Sequence, residues 1–195
     1  MEQQEILTLL QQVAEGSMTP QQAELQLKMA PFEDLGFAKL DHHRALRQGV
    51  AEVIYGAGKT PEQIRAIAQA MLARGQRTVL ITRMSAEAAA AMEGLPFRYD
   101  PLSRVGIAGT LPEPDGHGTI LIATGGTSDQ PVAEEAALTA EALGNRVVRL
   151  YDVGVAGLHR LLAHLDEIMS AQVIVAIAGM EGALASVIGG LADCP

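Results

Sequence analysis

Thr119-Ile120-Leu121-Ile122-Ala123-Thr124, then Gly125-Gly126-Thr127-Ser128-Asp129, then Pro131-Val132-Ala133-Glu134-Glu135-Ala136: this succession decides the fold. An unbroken apolar run of this kind suits a strand buried on both faces of a parallel sheet. The glycines permit a tight turn and a close approach of backbone to ligand. Ser128 or Asp129 can cap the helix that follows, whose free N–H groups then form an anion site. Doubly wound α/β domains bind nucleotide phosphate at such a joint. A helix cap with no ligand is the plainer alternative, because capped strand–turn–helix joints are common.

From this stretch to the C-terminus the rhythm is strict: strand 119–124, helix 130–143, strand 146–151, helix 155–164, strand 173–177, helix 181–191. Alternation of this kind implies a parallel sheet with right-handed crossovers. Three strands are few for a doubly wound sheet, so a further strand is expected after Pro195. Toward the N-terminus, residues 2–30 read as two amphipathic helices. The first carries Ile6, Leu9, Leu10 and Val13 and stops at Gly16; the second is capped by Thr19 with Pro20 at its first position. Residues 31–60 break pattern and end in a short strand, 52–55. A helix opened by Thr60-Pro61 and stopped by Gly75 follows, then strand 78–82 and helix 85–93. Pro96, Pro101, Pro112 and Pro114 mark 95–118 as loop-rich and as a domain boundary. The expectation is an α/β protein with two domains: 1–115, a helical start and a small α/β unit, and 116–195, a doubly wound parallel sheet that binds a nucleotide.

Composition narrows the function. Hydrophobic residues make up 48% of the chain, which permits a sizeable core and argues against disorder. Trp is absent and aromatics are only 3%, so that core is expected to consist of Ala, Val, Ile and Leu. A net charge of −9 argues against nucleic-acid binding, which needs a basic face to neutralise phosphates. The single Cys194 forbids an internal disulfide and suits a reducing compartment. No segment is long and apolar enough to span a membrane, and Met1-Glu2-Gln3-Gln4 lacks a signal-peptide start, so a cytoplasmic protein is expected.

Several constellations could carry chemistry. Gly56-Ala57-Gly58-Lys59-Thr60 looks like a P-loop, but that motif needs a glycine where Val53 stands. Lys59 is either a cation offered to a carboxylate or phosphate, or an ordinary surface lysine. Asp41-His42-His43-Arg44 with Arg47 gathers ionisable groups; metal, an anion-recognising face and a solvated helix all stay open, and no zinc-type spacing is present. Tyr151–Arg160 and Ala178–Ala183 follow the second and third strands, so three glycine-rich turns should line one crevice. There Asp152, Gly154, Gly179, Met180 and Gly182 join Gly125, Gly126, Thr127, Ser128 and Asp129 as candidate nucleotide-binding residues. Glu181 can act as a general base or merely favour a helix dipole. Cys194 has no cationic neighbour in sequence and reads as a small packing residue.

Taken together, residues 32–48, 52–60, 123–136, 151–157 and 178–186 resemble the LarB family of nickel-pincer cofactor biosynthesis, which serves lactate racemase maturation. The second domain of that family is similar to the aminoimidazole ribonucleotide carboxylase (PurE) fold, of flavodoxin-like type. The resemblance covers essentially the whole chain. It implies an enzyme that carboxylates the pyridinium ring of nicotinic acid adenine dinucleotide with CO2 or bicarbonate. The enzyme then splits the phosphoanhydride to AMP and pyridinium-3,5-biscarboxylic acid mononucleotide. A cysteine thiolate adds to the ring and makes the neighbouring carbon nucleophilic toward CO2. The resemblance places that cysteine beyond Pro195, so residues 1–195 alone are expected to bind substrate without completing the reaction. Asp41, Lys59 and Glu181 are the catalytic candidates, with Arg44 and Arg47 expected to receive the anionic ligand, because the second domain reads as short of cations near its glycine turns. No tightly bound cofactor is expected; Mg2+ is left open for anhydride cleavage. The partner is the dinucleotide or an NAD-like analogue, in a homo-octamer or other homo-oligomer, with no nucleic acid and no membrane. A non-catalytic nucleotide-binding module and a purine-pathway carboxylase or mutase are the alternatives.

Overall fold

The computed structural model describes residues 3–28, 33–41, 44 and 49–195. The chain divides into two compact units, Met1–Glu52 and Val53–Pro195.

In the first unit, α1 (Gln3–Ala14) and α2 (Pro20–Lys28) pack on each other. Leu9 and Ala23 are buried, whereas Leu10 stays more than half exposed, so only part of the expected apolar stripe is covered. Gly16 ends α1 in the left-handed region. Thr19 and Gln22 cap α2 reciprocally: Gln22 N–H donates to Thr19 Oγ1, and Thr19 N–H donates to Gln22 Oε1. An antiparallel hairpin of β1 (Glu33–Asp34) and β2 (Lys39–Leu40) follows, in the stretch where the sequence pattern breaks.

The second unit holds two sheets. The first has the order β3-β4-β6-β5, from β3 (Ile54–Tyr55), β4 (Thr78–Thr82), β5 (Phe97–Asp100) and β6 (Val105–Gly109). β3 runs parallel to β4, while β6 is antiparallel to both β4 and β5. The stretch expected to be loop and boundary therefore contains a hairpin. Pro96 and Pro101 flank β5 without interrupting it, and the turn between its strands is closed by Ser103, whose amide and hydroxyl donate to Asp100 Oδ2. α3 (Pro61–Ala73) opens at Thr60 as expected, there with a capping box completed by Gln63, and buries Ile64, Ile67, Ala68 and Met71. α4 (Ala86–Ala90) is capped by Ser85 and is shorter than expected. Met71, Met84 and Met92 are all fully buried, so methionine fills space that the aliphatic residues were expected to fill.

The second sheet has the order β8-β7-β9, all parallel, from β7 (Thr119–Thr124), β8 (Arg146–Leu150) and β9 (Val173–Ile177). Its two faces are covered by different helices. Ile122 packs with Ala133 and Ala137 of α5 (Gln130–Ala142). Leu121 and Ala123 face the other way, into a cluster with Leu161, Ile168, Leu184 and Ile188. Those four come from α6 (Leu158–Leu162), α7 (Leu165–Ser170) and α8 (Ala183–Leu191). This is a doubly wound sheet of flavodoxin-like order, as the alternation predicted. The helix expected over 155–164 is a 3-10 turn, Val155–Gly157, followed by the separate α6 and α7.

The expected break at 115/116 falls between β6 and β7, inside this unit. α5 spans it: Ala142 and Leu138 pack with Leu80, Val105 and Ile107 of the first sheet while Ala133 and Ala137 serve the second. On α8, Leu184 and Ile188 are buried, and Val187 and Leu191 pack against the same cluster. Among the described residues no helix is long and apolar enough to cross a membrane.

Candidate functional site

The carboxyl ends of the three parallel strands are stitched together around Thr124, which is fully buried. Its hydroxyl accepts from Asp152 N–H at 3.0 Å and its carbonyl from Val153 N–H at 2.9 Å. Gly125 N–H donates to Ile177 O at 3.0 Å. Gly154 lies so close to this joint that a Cβ there would stand 2.4 Å from Gly125 O. Its φ of −59° suits any residue, so packing alone demands glycine.

The convergence leaves a cavity of about 360 Å³ at the carboxyl edge of the sheet. Gly125, Gly126, Ser128 and Asp129 form one wall, Gly154–Ala156 with Arg160 a second, and Ala178–Glu181 with Ala183 and Leu184 a third. The crevice lies between the ends of β7 and β9, where the winding reverses, the place at which open α/β sheets bind ligands. Two non-glycine residues at its rim hold left-handed backbone, Asp152 (φ 59°) and Met180 (φ 50°), and the Met180 side chain is fully exposed. Local strain of this kind concentrates at ligand sites.

The turn itself differs from expectation. Free N–H groups were expected across Gly125–Asp129, yet Gly126 N–H donates to Asp129 Oδ2 at 2.9 Å and Asp129 N–H donates to Gly126 O at 3.1 Å. A carboxylate of the chain thus already sits on the amide that a phosphate would use. This leaves the amides of Thr127 and Ser128, with the exposed Ser128 side chain, at the head of the turn.

Not every predicted site residue comes to this cavity. Gly125, Gly126, Ser128, Asp129, Gly154, Gly179, Met180 and Glu181 line it. Thr127, Asp152 and Gly182 sit in the same three turns beside it, Gly182 as the left-handed residue before α8. Lys59 belongs to the turn after β3, where its Nζ donates to Tyr55 O at 2.8 Å. Asp41 and Arg44 lie in the first unit; Asp41 N–H donates to Glu52 Oε2 and Arg44 N–H to Asp41 O. Arg47, His42 and His43 fall outside the described residues. Cys194 is half-buried against the apolar cluster under α8, in keeping with a packing role.

The supposed scarcity of cations near the glycine turns is wrong: Arg160 lines the cavity. Its NH1 donates to Asp152 Oδ2 at 2.8 Å, and a Cβ on Gly157 would stand 2.7 Å from its Nε. A small residue three positions before an arginine at a helix start was the signal for it, because it leaves the guanidinium room to fold over the turn.

A second, smaller cavity of about 170 Å³ lies between β5, β6 and α5, but its charged residues are engaged by neighbours: Arg98 by Glu141, Asp100 by Ser103 and Glu134 by Arg149. Arg149 donates to Glu134 and Glu141, and Tyr151 donates its hydroxyl proton to Glu134 at 2.8 Å. Burial and the Glu134 carboxylate push the Tyr151 phenol well above its ordinary range. Burial raises Asp100, yet the Ser103 hydroxyl and amide outweigh it and hold that carboxyl low. Among the described residues no group of three or more His, Cys, Asp or Glu side chains is placed to hold a metal ion.

Residues 32–109 match the family model of the LarB/PurE-like N-terminal domain. The uncharacterized protein MJ0165 of Methanocaldococcus jannaschii is 34% identical over 190 residues, a match covering 92% of this chain and 74% of that protein. With the family model and a relative matched over 92% of this chain in agreement, the chain belongs to the LarB/PurE-like family.

Proposed function

We propose that this protein carboxylates the pyridinium ring of nicotinic acid adenine dinucleotide and hydrolyses its phosphoanhydride. The products are pyridinium-3,5-biscarboxylic acid mononucleotide and AMP, with CO2 or bicarbonate as co-substrate. The observation that carries the reading is the crevice at the winding reversal, walled by three glycine turns and bearing one arginine and one unengaged glutamate, Arg160 and Glu181. Its volume lies at the lower end of the ~300–1,000 Å³ typical of small-molecule sites. That suits one nucleotide half, with the other half extending outward.

In this reading the glycines let the ribose and phosphate approach the backbone, and Thr127 and Ser128 supply the donors that Asp129 has not taken. Glu181, exposed at the rim, removes the ring proton from the carbon that has accepted CO2. The C–H electron pair re-forms the ring double bond, and the added thiolate then leaves with the C–S pair, restoring the aromatic pyridinium. The thiolate that such chemistry requires is not assigned to Cys194, whose side chain packs into apolar surroundings. Asp41, Arg44, Arg47 and Lys59 remain proposed contributors to anion handling, and Mg2+ a proposed aid to anhydride cleavage. A homo-oligomer, octameric by analogy with PurE-type carboxylases, completes the proposal. Exposed Met180, Met169 and Val132 are apolar surface that assembly would cover.

Calorimetric titration with nicotinic acid adenine dinucleotide and, separately, aminoimidazole ribonucleotide tests the substrate class. The dinucleotide should bind once per chain and the purine precursor should not. Preference for the purine precursor would contradict the reading.

A further inference from the structure

We propose that Tyr151 is a positioning residue for the crevice: its hydroxyl bond to Glu134 holds the turn at Asp152 in place from the opposite side of the sheet. This role rests on the crevice being the ligand site, as in the proposed function. The tyrosine side chain itself does not line the crevice. It packs with Ile122, Ala133 and Ala137 on the α5 side, whereas the crevice wall at Leu184 belongs to the cluster on the other side.

Tyr151 continues the alternation of β8 by one residue, so it shares a face with Arg149. Both reach Glu134. Arg149 Nε donates to its two oxygens at 3.2 and 3.1 Å, and the Tyr151 hydroxyl donates to Oε1 at 2.8 Å. Arg149 NH1 also donates to Glu141 at 2.6 Å, and Glu141 pairs with Arg98 of β5 at 3.7 Å. The acceptor of the tyrosine proton is therefore braced on its other side, and a phenol has one O–H with which to meet it.

The bond falls where the backbone needs it. The ladder between β7 and β8 ends at Ala123 and Leu150, so Tyr151 is the first residue beyond it. Asp152 follows with φ 59°, a left-handed backbone that persists only where the surroundings over-determine it. From Asp152 onward the turn is fixed by Thr124, which takes the Asp152 N–H on its hydroxyl and the Val153 N–H on its carbonyl. Ahead of Asp152 the ladder is gone, and the Tyr151 side chain supplies the fixed point. A phenylalanine would fill the same apolar space; the hydroxyl adds direction. Glu134 also belongs to α5, the helix that starts from the Gly125–Asp129 turn, so the bond ties the second wall of the crevice to the helix that carries the first.

The test combines nuclear magnetic resonance of the ligand-free protein with calorimetry and melting curves on the parent, Tyr151→Phe, Glu134→Leu and Glu134→Gln. The scalar coupling between the amide and α protons of Asp152 reports its φ and needs no ligand. Tyr151→Phe should move that coupling and the amide signals of Asp152 and Val153. It should also weaken binding of nicotinic acid adenine dinucleotide by about 5- to 30-fold, the cost of fixing one freed backbone residue when the ligand binds. Glu134→Leu removes the acceptor and should do the same; it carries the test should Tyr151→Phe fail to fold. Glu134→Gln restores an acceptor for the hydroxyl while losing the ion pair with Arg149. It should therefore recover the parent coupling and affinity although its melting temperature falls. A bond that served stability alone would lower the melting temperature in all three variants and leave coupling and affinity at parent values. In whichever of Tyr151→Phe and Glu134→Leu folds, an unmoved Asp152 coupling or a dinucleotide affinity within twofold of the parent overturns the positioning role. A parent that does not bind the dinucleotide overturns the proposed function, and the ligand-free coupling then decides alone whether the hydroxyl holds the turn.

Discussion

Two strand–glycine turn–helix joints in this molecule carry nearly the same sequence signal and have opposite outcomes. After β3, Gly56-Ala57-Gly58 leads into α3; after β7, Gly125-Gly126 leads into α5. The first joint is closed on itself. Gly56 N–H donates to Thr82 O at 2.7 Å, a Cβ at Gly56 would stand 2.9 Å from the same oxygen, Lys59 folds back onto Tyr55 O, and Thr60 caps α3. The second opens onto a cavity. The difference lies in the sheets. In the mixed sheet β6 runs the other way and separates β5 from β4, so only β3 and β4 end side by side at that edge. In the parallel sheet three strands end together, so three turns converge and cannot all pack solid. A glycine turn becomes a site through its neighbours more than through its own sequence.

Breaking the two joints separately should expose this difference. The largest effect is expected from Glu181→Gln in protein that carries the family's cysteine. Shape and hydrogen bonding are kept, so dinucleotide affinity should hold while turnover falls about 10²-fold or more. Near-normal turnover would leave Glu181 as a helix-dipole partner. Next comes Gly154→Ala, which drives a Cβ into Gly125 O and should cost both stability, by about 1–3 kcal/mol, and ligand affinity. The matching change on the other joint, Gly56→Ala, should lower the melting temperature and leave affinity untouched. Gly126→Val separates the two effects in the reverse direction. A Cβ there meets only Asp129 Oδ2, at 3.9 Å, so the fold should survive while the crevice is crowded. Unchanged affinity in folded Gly126→Val protein would remove that turn from the site.

The smallest effect is a pH dependence away from the crevice. The Tyr151 phenol is raised by burial and by Glu134, so its neutral form is the one the fold prefers. The associated stability is present in full below the ordinary phenol value of about 10 and is lost as pH rises through the higher folded value. Ultraviolet titration should show a late-ionising phenol that Tyr151→Phe removes. If the component persists in that variant, the Glu134–Tyr151 bond is not what raises it.

What could be read from the sequence followed from periodicity. Strands 119–124 and 173–177 appear where the apolar runs placed them, and the helix caps at Thr19 and Thr60 are present. The β5–β6 hairpin was obscured because prolines at both ends of β5 read as linker, although at strand ends they remove no ladder hydrogen bond. That α5 serves two sheets was equally hard to read, a double role that shows only as alanines on one side and Leu138 with Ala142 on the other. In the site, the glycine turns and Glu181 were visible as spacing after strands. The capture of Gly126 N–H by Asp129 was not, since Asp129 reads equally well as a cap or as a ligand group until the turn is built.

Amide resonances of the glycines give the most direct test of the central claim that the converging turns, and not the closed one, bind the ligand. In 15N-labelled protein titrated with nicotinic acid adenine dinucleotide, the signals of Gly125, Gly126, Gly154 and Gly179 should shift together and saturate, while those of Gly56 and Gly58 stay in place. Shifts at Gly56 and Gly58 with the four crevice glycines unmoved would contradict the account.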